Sequence, residues 1–291
     1  CSVVVRRCVS TVSNLARLKG PLIMKNKHCS PLNRVRRALR DSKERFRVYR
    51  ERCTQSGYIP VTFWPVQLIT RWLARLLIFI QLGRLRIIGK ENLEIPGRFI
   101  FCPNHGSMFD APVLYAIMAR KESVRYMTAF EEMRGLWGLK AVLMGAMGCF
   151  PVDRTRGKSV IEPAIDIIVR GQNLTVFPEG KISETGACLP FKKGPAIIGS
   201  AALRILADGS RVGIIPMNIH YHKRDIATAR TPNYFKMGFK WRGGVTVTIG
   251  KPIYLDELTD LSPDEIMEKV HKFVCSAKAC AEHLGCPCAH E

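Results

Sequence analysis

No acidic side chain occurs before Asp41. That absence leaves residues 1–30 as a mixture of Ser, Thr, Val, Lys and Arg, the composition of an organelle transit segment. A disordered basic tail is the other reading. Residues 1–52 hold fifteen Lys and Arg against three Asp and Glu, so a net +12 of the chain's +21 sits there. A basic arm of this kind suits an anionic membrane surface or a nucleic acid. Neither zinc-finger spacing nor an aromatic ribonucleoprotein pattern is present, so no nucleic-acid partner is expected. A secretory signal is also missing, because the apolar run Val3-Val4-Val5 is too short for one.

An uninterrupted apolar run of membrane length is lacking as well. Val61 to Leu82 would span a bilayer by length. However, Pro65 stands near its start, and Arg71 and Arg75 lie near its middle. Gln67, Arg71 and Arg75 recur every four residues, which draws one narrow polar stripe along an otherwise apolar helix. Trp64 and Trp72 suit a membrane–water interface. The segment is therefore read as a helix lying in one leaflet, stripe toward the headgroups and apolar faces in the acyl chains. A core helix of the domain is the alternative. Arg84 and Arg86 follow and add attraction to anionic lipid. A basic helix from Arg34 to Arg52 precedes it, broken at Gln55 to Pro60.

Cysteine, by contrast, is abundant, with eleven in 291 residues. A chain of this length builds its own core, and Cys102 and Cys149 fall in apolar strand-like runs, so the thiols are read as reduced. The tail gathers Cys275, Cys280, His283, Cys286, Cys288 and His290. Cys286-Pro287-Cys288 leaves one residue between two ligands where zinc sites use two to four. No metal site and no cofactor is assigned.

From Leu85 onward the pattern alternates. Strands are expected at 86–89, 99–101, 124–127, 174–177, 214–217 and 245–250. Helices are expected at 136–147, 160–170 and 194–203. A last helix is expected to open at Ser262-Pro263-Asp264-Glu265, with Ser262 as cap. Alternation of this kind specifies an α/β fold, with a mixed, largely parallel central sheet covered by helices and an N-terminal helical membrane-binding segment. The expected divisions are a basic targeting or disordered segment (1–33), a basic helix with an amphipathic membrane-associated helix (34–84), an α/β domain (85–260), and a C-terminal helix with a Cys-rich tail (261–291).

The stretch richest in chemistry is Phe101-Cys102-Pro103-Asn104-His105-Gly106-Ser107-Met108-Phe109-Asp110. It joins an apolar strand to a helix that Asp110 is expected to cap. A neutral imidazole takes a proton from a hydroxyl near pH 7, and a carboxylate on its other nitrogen fixes the tautomer. Ser107 lies alongside, but no Gly-x-Ser-x-Gly elbow surrounds it, so it is read as a loop residue and not a nucleophile. His220 and His222, at another strand end, are expected to point apart and to share no ligand.

Three more segments follow in order: Gly148-Cys149-Phe150-Pro151-Val152-Asp153-Arg154, Leu174-Thr175-Val176-Phe177-Pro178-Glu179-Gly180-Lys181, and Val212-Gly213-Ile214-Ile215-Pro216-Met217-Asn218. With the His105/Asp110 segment first, their order and spacing resemble the four blocks of the glycerolipid acyltransferases, the 1-acylglycerol-3-phosphate type most of all. The resemblance covers about residues 85–255. This chain departs from the family pattern at Lys181-Ile182, where members carry Thr-Arg.

The resemblance implies transfer of a fatty acyl group from acyl-CoA or acyl carrier protein to the free hydroxyl of lysophosphatidic acid. Glycerol-3-phosphate or another lysophospholipid is the alternative acceptor. It implies His105 as base and Asp110 as its orienter, with Arg154, Glu179 and Gly180 binding substrate; Lys181, at the departure, is read as supplying the missing arginine's charge one position earlier, as a point charge. An inactive membrane scaffold is the other class kept open. The expected location is a membrane surface: in a plastid or mitochondrion if residues 1–30 are a transit segment, otherwise the inner face of the plasma membrane.

Overall fold

The computed structural model describes residues 31–107, 109–118, 124–133, 136–153, 155, 161–183, 187–206, 209–222 and 243–282. The expected transit segment 1–30, Arg154, and the tail residues His283, Cys286, Cys288 and His290 lie outside the described residues. The chain divides into two units, residues 1–46 and 47–291. Helix α1 (Pro31–Cys53) begins in the first. Everything below belongs to the second.

Among the described residues, eight strands form one sheet: β1 (Leu85–Ile88), β2 (Arg98–Pro103), β3 (Val124–Ala129), β4 (Cys149–Val152), β5 (Asn173–Thr175), β6 (Val212–Tyr221), β7 (Val245–Ile249) and β8 (Ile253–Tyr254). Their order is β1-β7-β6-β2-β5-β3-β4, with β8 also on β6. Strands β6, β2, β5, β3 and β4 run parallel to one another, and β1 runs parallel to β7. Only β7 and β8 meet β6 antiparallel. The mixed, largely parallel sheet expected from the alternation is the one observed.

Central parallel strands are buried on both faces, so their side chains must be apolar on both. Strand β2 shows this directly. Phe99 and Phe101 enter the core on one face, with Leu114, Met217 and Val247. Ile100 and Cys102 enter the other, with Phe150, Ile167, Ile198 and Val270. The first face is covered by α2 (Trp64–Gln81) and α3 (Asp110–Met118). Beyond it lie α4 (Phe130–Met133) and α5 (Leu139–Met147). The second face is covered by α6 (Ile161–Val169), α7 (Gly194–Ile205) and α8 (Pro263–Glu282). Helix α8 opens on a reciprocal capping box. Glu265 N–H donates to Ser262 Oγ at 3.3 Å, and Ser262 N–H donates to Glu265 Oε2 at 2.7 Å.

Helix α2 is shorter than the apolar segment that encodes it, and no helix among the described residues is long and apolar enough to cross a membrane. Ala74 and Ile78 are its buried residues, whereas Trp64, Ile69, Trp72, Leu73, Leu76 and Phe79 are exposed. The polar stripe does not lie where the sequence suggested. Gln67 Nε2 donates to the carbonyl of Met147 at 3.5 Å, and Arg71 is half-buried with an unpartnered Nε. Arg75 alone is exposed, its guanidinium 5.9 Å from the Trp72 ring centroid. The reason is spacing. Gln67, Arg71, Ala74 and Ile78 share one face, and the small Ala74 lets that face approach the domain.

Candidate active site

Strands β5, β2 and β6 are neighbours in the sheet and end at the same edge. Crevices outside the carboxyl ends of parallel strands are where open α/β sheets bind ligands. The loop leaving β2 brings His105 to this edge, the turn after β5 brings Glu179, and the end of β6 brings Tyr221.

Asp110 organises the loop. It is 0% exposed, and its carboxylate accepts four hydrogen bonds. Oδ2 accepts from Gly106 N–H at 2.8 Å, from Ser107 N–H at 2.8 Å and from His105 Nδ1 at 2.9 Å. Oδ1 accepts from the Tyr221 hydroxyl at 2.6 Å. Asp110 is thus the first residue of α3, with its carboxylate turned back into the loop and not capping the helix amides, as the sequence had suggested. The oxygens that would cap are taken by Gly106 and Ser107. Ser107 Oγ accepts from Phe109 N–H at 3.2 Å, a local turn bond.

With Nδ1–H directed at the carboxylate, the His105 lone pair resides on Nε2, the arrangement a general base requires. The imidazole stacks on Phe177, centroids 4.0 Å apart and planes at 21°. Its side chain is 19% exposed, so a substrate can reach it. The backbone is held on both sides: His105 N–H donates to Glu179 Oε1 at 3.0 Å, and the His105 carbonyl accepts from Ser183 N–H at 2.8 Å.

Glu179 is 4% exposed. Burial pushes its carboxyl up to about 7, partly offset by the amides of His105 and Leu189 and by the His105 ring. Its Oε2 is buried without a hydrogen bond. Tyr221 is raised well above the usual phenol range by burial and then by Asp110, so it remains a donor. Gly180 follows at φ +71°, a conformation that favours glycine. A Cβ there would lie 2.8 Å from Lys192 Nζ, which places that ammonium against the turn. Lys181 is exposed.

The structure therefore brings together His105, Asp110, Glu179 and Gly180, while Arg154 lies outside the described residues. Strand β4, which leads toward Arg154, ends at the same sheet edge, three strands from β2. Sequence reasoning missed Tyr221 and the closeness of Lys192. Tyr221 ends a predicted strand on the correct edge, which was the available signal. His220 and His222 are not apart as expected. Residues i and i+2 of an extended chain share a side, and their rings meet edge-on with centroids 5.0 Å apart.

Residues 84–220 match the family described as Acyltransferase. The 1-acyl-sn-glycerol-3-phosphate acyltransferase BAT2, chloroplastic, of Brassica napus is 25% identical over 190 residues, 63% of this chain and 49% of that protein. The chain thus spans about half the length of that relative. The crystal structure of the 1-acyl-sn-glycerophosphate (LPA) acyltransferase PlsC from Thermotoga maritima matches with a TM-score of 0.56 at 22% identity. The match covers 73% of this chain and 78% of that one, and it carries the fold.

Proposed function

We propose that the chain, whose residues 84–220 match the Acyltransferase family, is a glycerolipid acyltransferase that acylates the free hydroxyl of lysophosphatidic acid from a fatty acyl thioester, giving phosphatidic acid. The observation that carries this reading is the 2.9 Å bond from His105 Nδ1 to a fully buried Asp110. His105 Nε2 takes the hydroxyl proton as the alcohol oxygen attacks the thioester carbonyl. Asp110 holds the ring and stabilises the imidazolium that forms. Collapse of the tetrahedral intermediate expels the thiolate, which recovers the proton. The thioester is already activated, so no acyl-enzyme is needed.

Arg154 and Lys181 are assigned to the substrate phosphate. A guanidinium grips phosphate through two parallel bonds, whereas an ammonium acts as a point charge. Glu179 fixes the His105 backbone and, with Gly180, shapes the turn against which the acceptor lies. The exposed apolar residues of α2 are assigned to an anionic membrane surface, where the lysolipid resides. The chloroplastic relative favours a plastid membrane. The donor is acyl-CoA or acyl carrier protein, both acidic and suited to a basic chain.

The test is thiol release from each donor over a panel of acceptors. Lysophosphatidate should drive release, and His105→Ala should abolish it. Transfer that survives His105→Ala removes the base assignment, and equal rates with unphosphorylated acceptors remove the phosphate assignment.

A further inference from the structure

A second cluster of reactive side chains lies on the α8 side of the sheet. His271 and Cys275 are four residues apart on α8 and so project from one face. Cys275 Sγ lies 3.4 Å from His271 Nε2. Cys188, more than eighty residues earlier in the chain, joins them: a ligand atom from each of the three lies within 4.8 Å of the other two. All three residues are half-buried, so the cluster is neither sealed in the core nor loose at the surface. Phe191 meets the His271 ring edge-on, centroids 4.9 Å apart, and fixes its position.

Two thiols and an imidazole form a ligand set for borderline-soft cations and a poor one for magnesium or calcium. In a tetrahedral zinc site, bonds of about 2.3 Å to sulfur and about 2.1 Å to nitrogen set a sulfur–nitrogen edge of about 3.6 Å and a sulfur–sulfur edge of about 3.8 Å. The Cys275–His271 separation is already close to that edge, and bringing Cys188 in takes at most about 1 Å of movement. We propose that Cys188, His271 and Cys275 bind one divalent cation of the zinc class. No metal was expected because Cys286 and Cys288 in the tail are spaced too closely for a zinc site. The structure draws one residue from that tail and combines it with two from elsewhere.

The location gives the site a role. Cys188 adjoins Leu189, whose amide acts on the Glu179 carboxyl. Four residues further on, Lys192 N–H donates to the Pro178 carbonyl at 2.9 Å. A cation here would tie residues 187–192, which flank the Glu179 turn, to the last helix. Three protein ligands leave one position for water. The inference does not depend on the substrate reading above.

The full chain is purified with reductant, loaded with zinc, freed of excess by dialysis and analysed for metal. Cobalt(II) loading gives an independent readout through its thiolate charge-transfer absorption. The expected result is about one metal per chain, held also by Cys286→Ser/Cys288→Ser. Cys188→Ser and His271→Ala should weaken binding by more than the roughly 10–100-fold that ligand-supporting partners command. Cys188→His, which replaces one ligand with another, should restore it. Full metal retention in Cys188→Ser overturns the site, as does metal lost only with the tail double variant. A Cys188–Cys275 disulfide in place of metal does the same. Chelation should speed amide exchange at Leu189; unchanged exchange would remove the tie to the Glu179 turn.

Discussion

The loop edge of the sheet and the outer face of α2 invert the usual pattern in opposite senses. At the sheet edge, polar groups are buried: Asp110, Glu179, Ser107 and Asn104 are each 8% exposed or less. On α2, large apolar groups are exposed, with Trp64, Trp72 and Phe79 at 72%, 64% and 73%. Ordinary folding needs neither arrangement. Buried polar groups cost free energy unless bonded, and apolar patches of this size mark contact surfaces. At the edge the Asp110 and Asn104 side chains are fully bonded within the chain, and the unbonded buried atoms are Glu179 Oε2 and Ser183 Oγ. Among the described residues, nothing covers the outer face of α2. On the function proposed above, the first region does the chemistry and the second chooses where it happens, and they should respond to different perturbations.

The sharpest separation comes from His105→Ala. It should cut acyl transfer roughly a thousandfold, while vesicle binding stays near wild type and stability falls only by one hydrogen bond to a charged acceptor, about 1.5 kcal/mol. Asp110→Ala should cut transfer as far and also destabilise the fold by about 3 kcal/mol or more, because two backbone amides and a phenol lose their acceptor. A melting curve beside the rate assay distinguishes the two variants. If Asp110→Ala melts like wild type, the loop is not organised as described.

From the other side, Trp72→Glu with Phe79→Glu should leave melting and the rate on detergent-dispersed substrate unchanged. Each lost apolar side chain removes about 2 kcal/mol of burial, so vesicle partitioning should fall by well over tenfold. Flotation against anionic liposomes reads this. Undiminished flotation would assign the membrane contact to another surface.

The buried edge also carries a pH signature that α2 lacks. Glu179 is raised from its ordinary 4.5 to about 7 by burial. A carboxyl raised in the folded state favours folding fully below its unfolded value and loses that contribution as pH rises through the folded one. Stability should therefore decline between about pH 4.5 and 7 by on the order of 3 kcal/mol, and Glu179→Gln should flatten the decline. Urea midpoints across that window measure it. A midpoint profile with the same slope in Glu179→Gln would place the titration elsewhere.

Much of the edge was legible in the sequence because its parts are local. The strand–loop–helix around His105 spans a dozen residues, and strand periodicity with the proline and capping signals located both flanks. The four ordered blocks brought Glu179 and Gly180 to the same site. What escaped notice was long-range. Tyr221 is 111 residues from Asp110, and only the pairing of β6 with β2 brings them together. Cys188 meets α8 for the same kind of reason. On α2 the stripe was legible, but its direction was not. Periodicity says which residues share a face, and only packing against α3 and α5 says what that face meets.

The smallest effect should come from Tyr221→Phe, and it tests whether the edge works as one network. The phenol donates to Asp110 Oδ1 at 2.6 Å, on the oxygen that His105 does not use. Removing the hydroxyl leaves Oδ2 with its three donors, so loop geometry should hold. A hydrogen bond to a charged acceptor contributes about 1.5–3 kcal/mol, and melting should fall by the lower end of that range. The rate should fall only several-fold, because the carboxylate still orients the imidazole. The informative quantity is the double variant with His105→Ala. If the two act through the same carboxylate, their effects on stability will not add, since residues sharing one hydrogen-bond network couple by 0.5–3 kcal/mol. Strict additivity would mean that the Asp110 carboxylate does not link the β6 end to the His105 loop, and the buried edge would then be two sites and not one.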